Sequence, residues 1–150
     1  MIVVDTNVIS ELMRGEPHPA VLTWVAAQPR ALLYTTHINQ AEIFYGIAAL
    51  PEGRRRTALT AAATAMFVED FADHILPFEA EAAARYPEIV LARLQAGNPI
   101  EKFDALIAET ALAAGASIAT RDFGGFTGCG LAIVNPWERH DRHRARLPRL

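Results

Sequence analysis

Four acidic residues stand where the pattern predicts buried or sheet-edge positions. Asp5 directly follows the apolar run 1–4, and Asp122 comes shortly after the apolar run 118–119, so both are expected at the carboxyl ends of buried strands. Glu42 and Asp104 recur with apolar residues at helical spacing, which places both on the apolar faces of predicted helices. A carboxylate buried alone costs several kcal/mol unless it is paired or binds a metal. The four acids therefore predict one shared pocket.

These side chains offer only oxygen ligands. The pattern places no thiolate or imidazole beside the four acids, and such ligands suit Mg²⁺ or Mn²⁺ rather than zinc. One or two of these ions can activate water and neutralise charge on a leaving oxygen. The pattern therefore indicates phosphodiester hydrolysis.

Each acid also has a purely structural interpretation. Glu42 can form a capping box with Asn39, although the helix would then begin late. Asp104 can be a first-turn acid that interacts with the helix dipole, although Asn98, followed by proline and then an acid, predicts an earlier helix start. The two strand-end acids can serve as a helix cap and as a turn residue.

The composition suits one domain without a membrane segment. The chain has 150 residues, 51% of them hydrophobic, and its single cysteine, Cys129, cannot form an internal disulfide or build a zinc site alone. No signal peptide or bilayer-spanning run is recognisable, which predicts a cytoplasmic protein that does not bind membranes. The net charge of −3 gives no general attraction to nucleic acid. Metal ions or local arginines such as those at 54–56 would have to attract a polyanion.

Short apolar runs alternate with helix-like segments, which predicts a three-layer α/β fold with a parallel sheet. Strands are expected near residues 1–5, 31–35, 74–76, 117–120 and 131–134. Helices are expected directly after the first strand, capped by Thr6 or Asn7, and at 20–28, 37–50, 54–72, 78–96 and 98–114, with a kink or break at Pro87. The predicted domain spans 1–138, and residues 139–150 form a basic C-terminal tail.

Five motifs, taken in order, give the sequence a specific resemblance. They are VVDTNVISE at 3–11, AEIFYGI at 41–47, PIEKFDALIA at 99–108, ATRD at 119–122 and VNPW at 134–137. With these motifs the chain resembles PIN-domain ribonucleases of the VapC toxin family, in the FitB/StbB-like branch of type II toxin–antitoxin systems. The resemblance covers nearly the whole chain. It implies a PIN-like three-layer α/β/α sandwich with a central parallel sheet of about five short strands.

The resemblance also implies a site and partners. The acidic metal-binding quartet would be Asp5, Glu42, Asp104 and Asp122, with Thr6, Asn7 and Thr120 in support. The implied activity is that of a Mg²⁺- or Mn²⁺-dependent endoribonuclease that hydrolyses RNA. The implied partners are a second copy of the chain and a small VapB/FitA-like antitoxin, through which the complex would bind operator DNA.

Position 122 departs from the family pattern. Many relatives have Asn after the Thr-Arg pair and an acid three residues later, whereas this chain has Asp122 and then Gly125. Two other functions stay open, namely another Mg²⁺-dependent phosphohydrolase and a non-catalytic PIN-like binding module. A dehalogenase-type phosphatase would need a second aspartate where Asn7 stands, and a binding module would have lost the quartet.

Overall fold

The fold is built on a five-stranded, all-parallel sheet with β1 in its middle. A computed structural model describes residues 1–138. The strands are β1 (Ile2–Val4), β2 (Leu33–Thr36), β3 (Ile75–Leu76), β4 (Ser117–Ala119) and β5 (Ile133–Val134), in the spatial order β3-β2-β1-β4-β5. Ile2 of β1 lies opposite Leu33 on one side and Ser117 on the other. The predicted parallel sheet of about five short strands is confirmed.

Helices connect the strands and cover both faces of the sheet. Within residues 1–138 they are α1 (Thr6–Leu12), α2 (Pro19–Ala27), α3 (His37–Ala48), α4 (Arg54–Ala65), α5 (Ala80–Gln95), α6 (Lys102–Ala113) and the short α7 (Phe123–Phe126). A 3-10 turn, Arg30–Leu32, precedes β2, and a π-helical turn, Met66–Asp70, follows α4. None of the helices in this part of the chain is long and apolar enough to cross a membrane.

Strand β1 supplies residues to two separate hydrophobic cores. Val3 packs in one core with Ile89 of α5 and Ile107 of α6, whereas Val4 packs in the other with Ile43 of α3. Successive side chains of a strand point to opposite faces, so each core lies on its own side of the sheet. This arrangement explains the unbroken apolar run of β1 and confirms the three-layer architecture.

The topology places a crevice at the carboxyl ends of β1 and β4. From β1 the chain crosses to β2 on one side, and it later returns to β4 on the other side of β1. In open parallel sheets, ligands bind where the strand order reverses in this way, outside the carboxyl ends of the strands. Asp5 and Thr120 are the first residues beyond these two strand ends.

The predicted start of α6 at Asn98 is wrong. The helix begins at Lys102, and the Glu101 side chain caps it by accepting the amides of Phe103 and Asp104 at 2.8 and 3.2 Å. The Asn98 backbone is bound instead to Arg93 of α5, donating its N–H to the Arg93 carbonyl and accepting from Arg93 Nε at 2.7 Å. The proline motif therefore ends one helix rather than beginning the next.

Two other helix predictions need correction. A kink or a break was predicted at Pro87, and the break does not occur, because α5 runs continuously from Ala80 to Gln95. Pro87 is exposed, so water can reach the carbonyl that a proline leaves without a partner, while buried Ala82 and Ile89 hold the other face. The helix predicted at 54–72 ends as an α-helix at Ala65 and continues only as the π-helical turn. The predicted basic tail, 139–150, lies outside the described residues.

Candidate active site

Asp5 lies at the end of β1 with its carboxylate almost fully engaged by hydrogen-bond donors. Its Oδ1 accepts the Thr6 amide at 2.8 Å and Asn39 Nδ2 at 3.0 Å, and its Oδ2 accepts the Thr120 hydroxyl at 2.8 Å. Asn7 Nδ2 lies 3.4 Å from the same Oδ2. Asp5 is itself the N-cap of α1, so the predicted caps Thr6 and Asn7 are wrong. Asp5 therefore both caps α1 and stands at the edge of the sheet.

Glu42 is joined to Asp5 through two polar side chains. The Thr6 hydroxyl donates to Glu42 Oε1 at 3.0 Å and accepts from Asn39 Nδ2 at 3.0 Å. Asn39 is fully buried, and its amide and side chain are bound by Thr36, the true N-cap of α3. The alternative capping box between Glu42 and Asn39 is therefore absent, and Glu42 faces the crevice.

Asp104 lies in the first turn of α6, because that helix begins later than the sequence predicted. Its side chain is half-buried rather than enclosed in the core stripe. A first-turn acid interacts favourably with the helix dipole, so the structural interpretation of Asp104 holds for its position. The same position also brings its carboxylate to the crevice occupied by Asp5, which the dipole does not explain.

Asp122 reaches the crevice because Gly125 has no side chain. Asp122 caps α7, and its Oδ1 accepts the Gly125 amide at 2.9 Å. A Cβ atom built on Gly125 would lie 2.5 Å from Asp122 Oδ2 and 3.2 Å from Asp104 Oδ2. The Asp122 carboxylate thus occupies the space that the Cβ atom of an acidic residue at position 125 would need. It also lies beside Asp104.

The Thr120 hydroxyl connects three parts of the site. It donates to Asp5, accepts from Asn7 Nδ2 at 2.8 Å and accepts from the Asp122 amide at 3.0 Å. Asn7 Oδ1 in turn faces the Arg121 amide at 3.4 Å. All three supporting residues predicted from the sequence, Thr6, Asn7 and Thr120, therefore contact the acids or one another.

The pKa values of the acids are raised by burial and by the charges of the other acids nearby. Burial, as the largest cause, and the charges of four neighbouring acids together raise the pKa of Asp104 to about 7; these acids are Asp5, Glu101, Asp122 and Glu42. Burial likewise raises the pKa of Asp5 and of Glu42, against the lowering effect of the hydrogen bonds from Thr120 to Asp5 and from Thr6 to Glu42. A cation is the natural counterpart of such a cluster.

The acids line an open cavity of about 610 Å³. Three arginines, Arg14, Arg55 and Arg121, line the same cavity. Arg121 also lies over the Trp137 ring, with its guanidinium carbon 5.1 Å from the ring centroid, which holds the side chain at the rim. Acids and arginines in one cavity provide both a cation site and contacts for an anionic substrate.

The donor set suits a hard divalent cation. It consists of carboxylate oxygens with hydroxyl and amide groups nearby, which is the ligand type that Mg²⁺ and Mn²⁺ prefer. Within residues 1–138, no three acidic, His or Cys side chains are already drawn together as a metal site. Glu42 and Asp104 are only partly buried, however, so their carboxylates can rotate toward Asp5. The residues present therefore fit the ion that the sequence predicted.

Sequence reasoning missed two contributors to this site. Asn39 donates to both Asp5 and Thr6, but an asparagine near a helix start ordinarily indicates a cap. Glu101 adds negative charge beside Asp104, yet its pattern was interpreted only as a capping signal. Its position three residues before Asp104 on the predicted helix was the available clue.

Comparison with known proteins gives a consistent result. Residues 2–126 match the family described as PIN domain. The chain is 44% identical to a VapC ribonuclease of Sinorhizobium fredii over 92% of its length and 99% of the relative's. It is 36% identical to the toxin FitB of Neisseria gonorrhoeae over 94% of its length and 100% of the relative's.

Solved structures agree with these relatives. The crystal structure of FitAcB from Neisseria gonorrhoeae superposes with a TM-score of 0.86 at 35% identity, covering 93% of this chain and all of that one. A structure of FitAB bound to an IR36 DNA fragment gives 0.87 at 35% identity, covering 95% of this chain and all of that one. The chain belongs to the PIN-domain family. Within that family it belongs to the group that contains these VapC and FitB relatives.

Proposed function

We propose that this chain is a Mg²⁺- or Mn²⁺-dependent endoribonuclease and the toxin of a type II toxin–antitoxin pair. The observation that carries the proposal is the group of four carboxylates, Asp5, Glu42, Asp104 and Asp122, that lines one cavity at the switch point of the sheet. Burial, and after it the charges of the neighbouring acids, raise the pKa of Asp104 to about 7, so the cavity favours a cation. Its ribonuclease and toxin relatives support RNA as the substrate.

The four acids have different parts in this proposal. Asp5 and Asp104 are held by β1 and by the first turn of α6, and they are the direct ligands. Glu42 binds directly or through water, and Asp122 binds a second, weaker ion or orients water. When bound there, the ion would lower the pKa of water and neutralise charge on the leaving oxygen.

The protein's own side chains hold the acids and the substrate in place. Thr120, Thr6 and Asn39 keep the Asp5 carboxylate fixed by hydrogen bonds. The arginines of the cavity, Arg14, Arg55 and Arg121, bind phosphates on either side of the cleaved bond. These local arginines supply the positive charge that the net charge of −3 does not.

An apolar groove beside the acids suits the antitoxin. The groove has a volume of about 690 Å³, and its apolar lining includes Met13 directly after α1, Ile43 of α3 and Leu59 of α4. Glu42 and Arg55 belong to both the groove and the acidic cavity. An amphipathic antitoxin segment that fills the groove would carry a basic side chain into the acids. Through that antitoxin the complex would bind operator DNA, and the structure of FitAB bound to an IR36 DNA fragment supports binding to DNA.

We also expect a homodimer in the cytoplasm. The outer face of α5 exposes Leu91 and Leu94 at 52% and 58%, which makes an apolar surface that a second copy can cover. Light scattering that shows a monomer at micromolar concentration would contradict the dimer.

Cleavage of defined RNA by antitoxin-free protein tests the proposed activity. We expect cleavage with Mg²⁺ or Mn²⁺ that leaves a 5′-phosphate and that EDTA abolishes. Asp5→Asn protein made in the same way controls for contaminating nucleases, and Arg30→Ala controls for a change of surface charge, because Arg30 pairs with Asp70 away from the cavity. Cleavage that continues in EDTA, or that requires zinc, would contradict the proposal.

A further inference from the structure

Arg93 of α5 is a buried arginine that binds the loop after β4. Only 5% of the residue is exposed. Its guanidinium donates to backbone carbonyls of Asn98 at 2.7 Å, Gly124 at 3.1 Å, Gly125 at 3.1 Å and Thr127 at 2.8 Å, and one N–H lies 3.7 Å from the Cys129 sulfur. One side chain thus fixes nearly the whole segment that follows Asp122.

Within residues 1–138, Arg93 forms no ion pair with a carboxylate. A buried charge is costly, and an apolar side chain of similar volume often stabilises a core at least as well. Four backbone carbonyls and the Cys129 sulfur accept from the guanidinium, and the rigid fork of donors suits several acceptors at once. Arg93 is therefore arranged to hold a loop in one conformation rather than to neutralise an acid.

One peptide group connects Arg93 to Asp122. The carbonyl of Gly124 and the N–H of Gly125 belong to the same planar peptide and point in opposite directions. Arg93 donates to that carbonyl at 3.1 Å, and the N–H donates to Asp122 Oδ1 at 2.9 Å. Hydrogen bonds in such a chain polarise one another, so the guanidinium strengthens the bond that the Asp122 carboxylate accepts.

The position of this peptide decides where the Asp122 carboxylate can lie. Asp122 Oδ2 occupies the space beside Gly125, and Asp104 Oδ2 borders the same space. The loop contains three glycines between residues 124 and 128, which by themselves permit many backbone conformations. A contact that restrains this backbone is therefore needed to keep the two carboxylates together.

We propose that Arg93 is a positioning residue for the active site, which holds the Asp122 carboxylate beside Asp104 through the Gly124–Gly125 peptide. The inference rests on the proposed function, because it concerns a carboxylate assigned there to the cation site. It adds a residue on a different helix that contacts neither the cation nor the substrate.

Amide exchange of Gly125 in the full-length, metal-free protein tests the contact directly. In Arg93→Met and Arg93→Lys proteins we expect the Gly125 amide to exchange about tenfold faster, which is the loss of one hydrogen bond's stabilisation. Lysine retains the charge but cannot bind four carbonyls in a fork, so it should not restore the wild-type rate. Ile89→Val, a change in the buried face of the same helix one turn earlier, should leave the Gly125 rate unchanged.

A double-mutant cycle tests whether Arg93 acts through Asp122. The measured quantity is the Mn²⁺ concentration that gives half-maximal RNA cleavage. We expect Arg93→Lys to raise it, and we expect no further rise when Arg93→Lys is added to Asp122→Asn, because residues that act through one contact are not additive.

The outcomes separate the two proposals. Unchanged Gly125 exchange in both Arg93 variants, or equal effects of Arg93→Lys with Asp122 present and with Asp122→Asn, would overturn the positioning role. A wild-type protein that cleaves no RNA with any divalent ion would contradict the proposed function instead, and the amide exchange would still decide whether Arg93 holds the loop. If Arg93→Met does not fold, Arg93→Lys supplies both measurements.

Discussion

The Thr120 hydroxyl donates a 2.8 Å hydrogen bond to the Asp5 carboxylate across 115 residues of sequence. The two residues stand at the ends of adjacent parallel strands, β4 and β1. Because the same hydroxyl also accepts the Asp122 amide, it sets the separation between an acid of the first strand and an acid of the fourth. The site therefore depends on the pairing of these two strands.

Thr120→Val should lower both activity and stability. The change leaves Asp5 Oδ2 with only the longer, 3.4 Å contact from Asn7 within residues 1–138, and it leaves the Asp122 amide without its acceptor. We expect this to cost about 1–3 kcal/mol of the free energy of unfolding. Denaturant unfolding and initial cleavage rates measure the two effects. Thr110→Val is the matched control, because within residues 1–138 the Thr110 hydroxyl bonds only to a carbonyl of its own helix. Equal activity losses in the two variants would contradict the role given to Thr120.

Asp5→Asn and Asp104→Asn should both abolish RNA cleavage but should change stability in opposite directions. Asparagine at position 5 places an NH₂ group against donors from Thr120 or Asn39, so we expect a lower thermal midpoint. Asparagine at position 104 removes a charge that its neighbours repel, so we expect a higher midpoint without metal. Thermal melts in EDTA measure both. Detectable cleavage by Asp5→Asn would contradict the ligand assignment.

The metal-free protein should lose stability as pH rises toward neutrality. Burial and neighbouring acids raise the pKa of Asp104 from 3.8 to about 7, so between these values the folded state binds more protons than the unfolded state. Stability that is present below the lower pKa is therefore lost as pH rises through about 7. We expect thermal midpoints in EDTA to fall between about pH 5 and about pH 8.

Two variants separate the sources of that pH dependence. Asp104→Asn should make the thermal midpoint depend less steeply on pH. Burial also raises the pKa of Glu109, whose carboxylate oxygens have no hydrogen-bond partner within residues 1–138, so Glu109→Gln should reduce this dependence further without loss of cleavage. A midpoint that rises with pH in the wild-type protein would contradict this account.

Asp122→Asn should lose less activity than Asp104→Asn and should recover part of it at high Mn²⁺. Gly125→Asp added to Asp122→Ala should recover part of the activity that Asp122→Ala loses, because alanine removes the Asp122 Oδ2 and Cγ atoms that a Cβ at 125 would meet. Gly125→Asp alone should be worse than either, since its Cβ would lie 2.5 Å from Asp122 Oδ2. Cleavage rates against Mn²⁺ concentration rank the variants. Equal inactivity of Asp122→Asn and Asp104→Asn at every concentration would overturn the ranking.

Arg121→Ala should weaken RNA binding more than it slows chemistry. Arg121 lies at the rim of the cavity over Trp137 and makes no side-chain hydrogen bond to the acids within residues 1–138. We expect KM to rise with kcat nearly unchanged, and the slope of log affinity against log salt to fall by about 0.7, the value for one lost phosphate contact on a single strand. Arg30→Ala should change neither quantity.

The strand-end acids were predictable because their signal is local. An apolar run that ends in Asp5 indicates a buried parallel strand whatever surrounds it, and the run before Asp122 does the same. The sequence signal that placed Glu42 on a particular helical face was also local. The spacing of Glu42 with apolar neighbours predicted its orientation toward the crevice, and the contact with Thr6 agrees.

The start of α6 was not predictable because tertiary contacts override a local signal. Asn98 and the proline after it resemble a helix start, yet Arg93 binds the Asn98 backbone and the helix begins at Lys102. The role of Asn39 was hidden for a similar reason, since its partners Asp5 and Thr6 lie more than 30 residues earlier. The spacing of residues along one helix does not reveal a contact with residues elsewhere in the chain.

The pairing of β1 with β4 has a consequence for synthesis of the protein. The first acid of the site is made at residue 5, but its neighbours across the sheet are made after residue 116. A chain still growing on the ribosome cannot assemble the cavity until nearly all of it has emerged, so under the proposed function it could not cleave the message that encodes it. Ribosome-bound chains that end before residue 117 should therefore leave RNA intact under conditions in which the released full-length protein cleaves it.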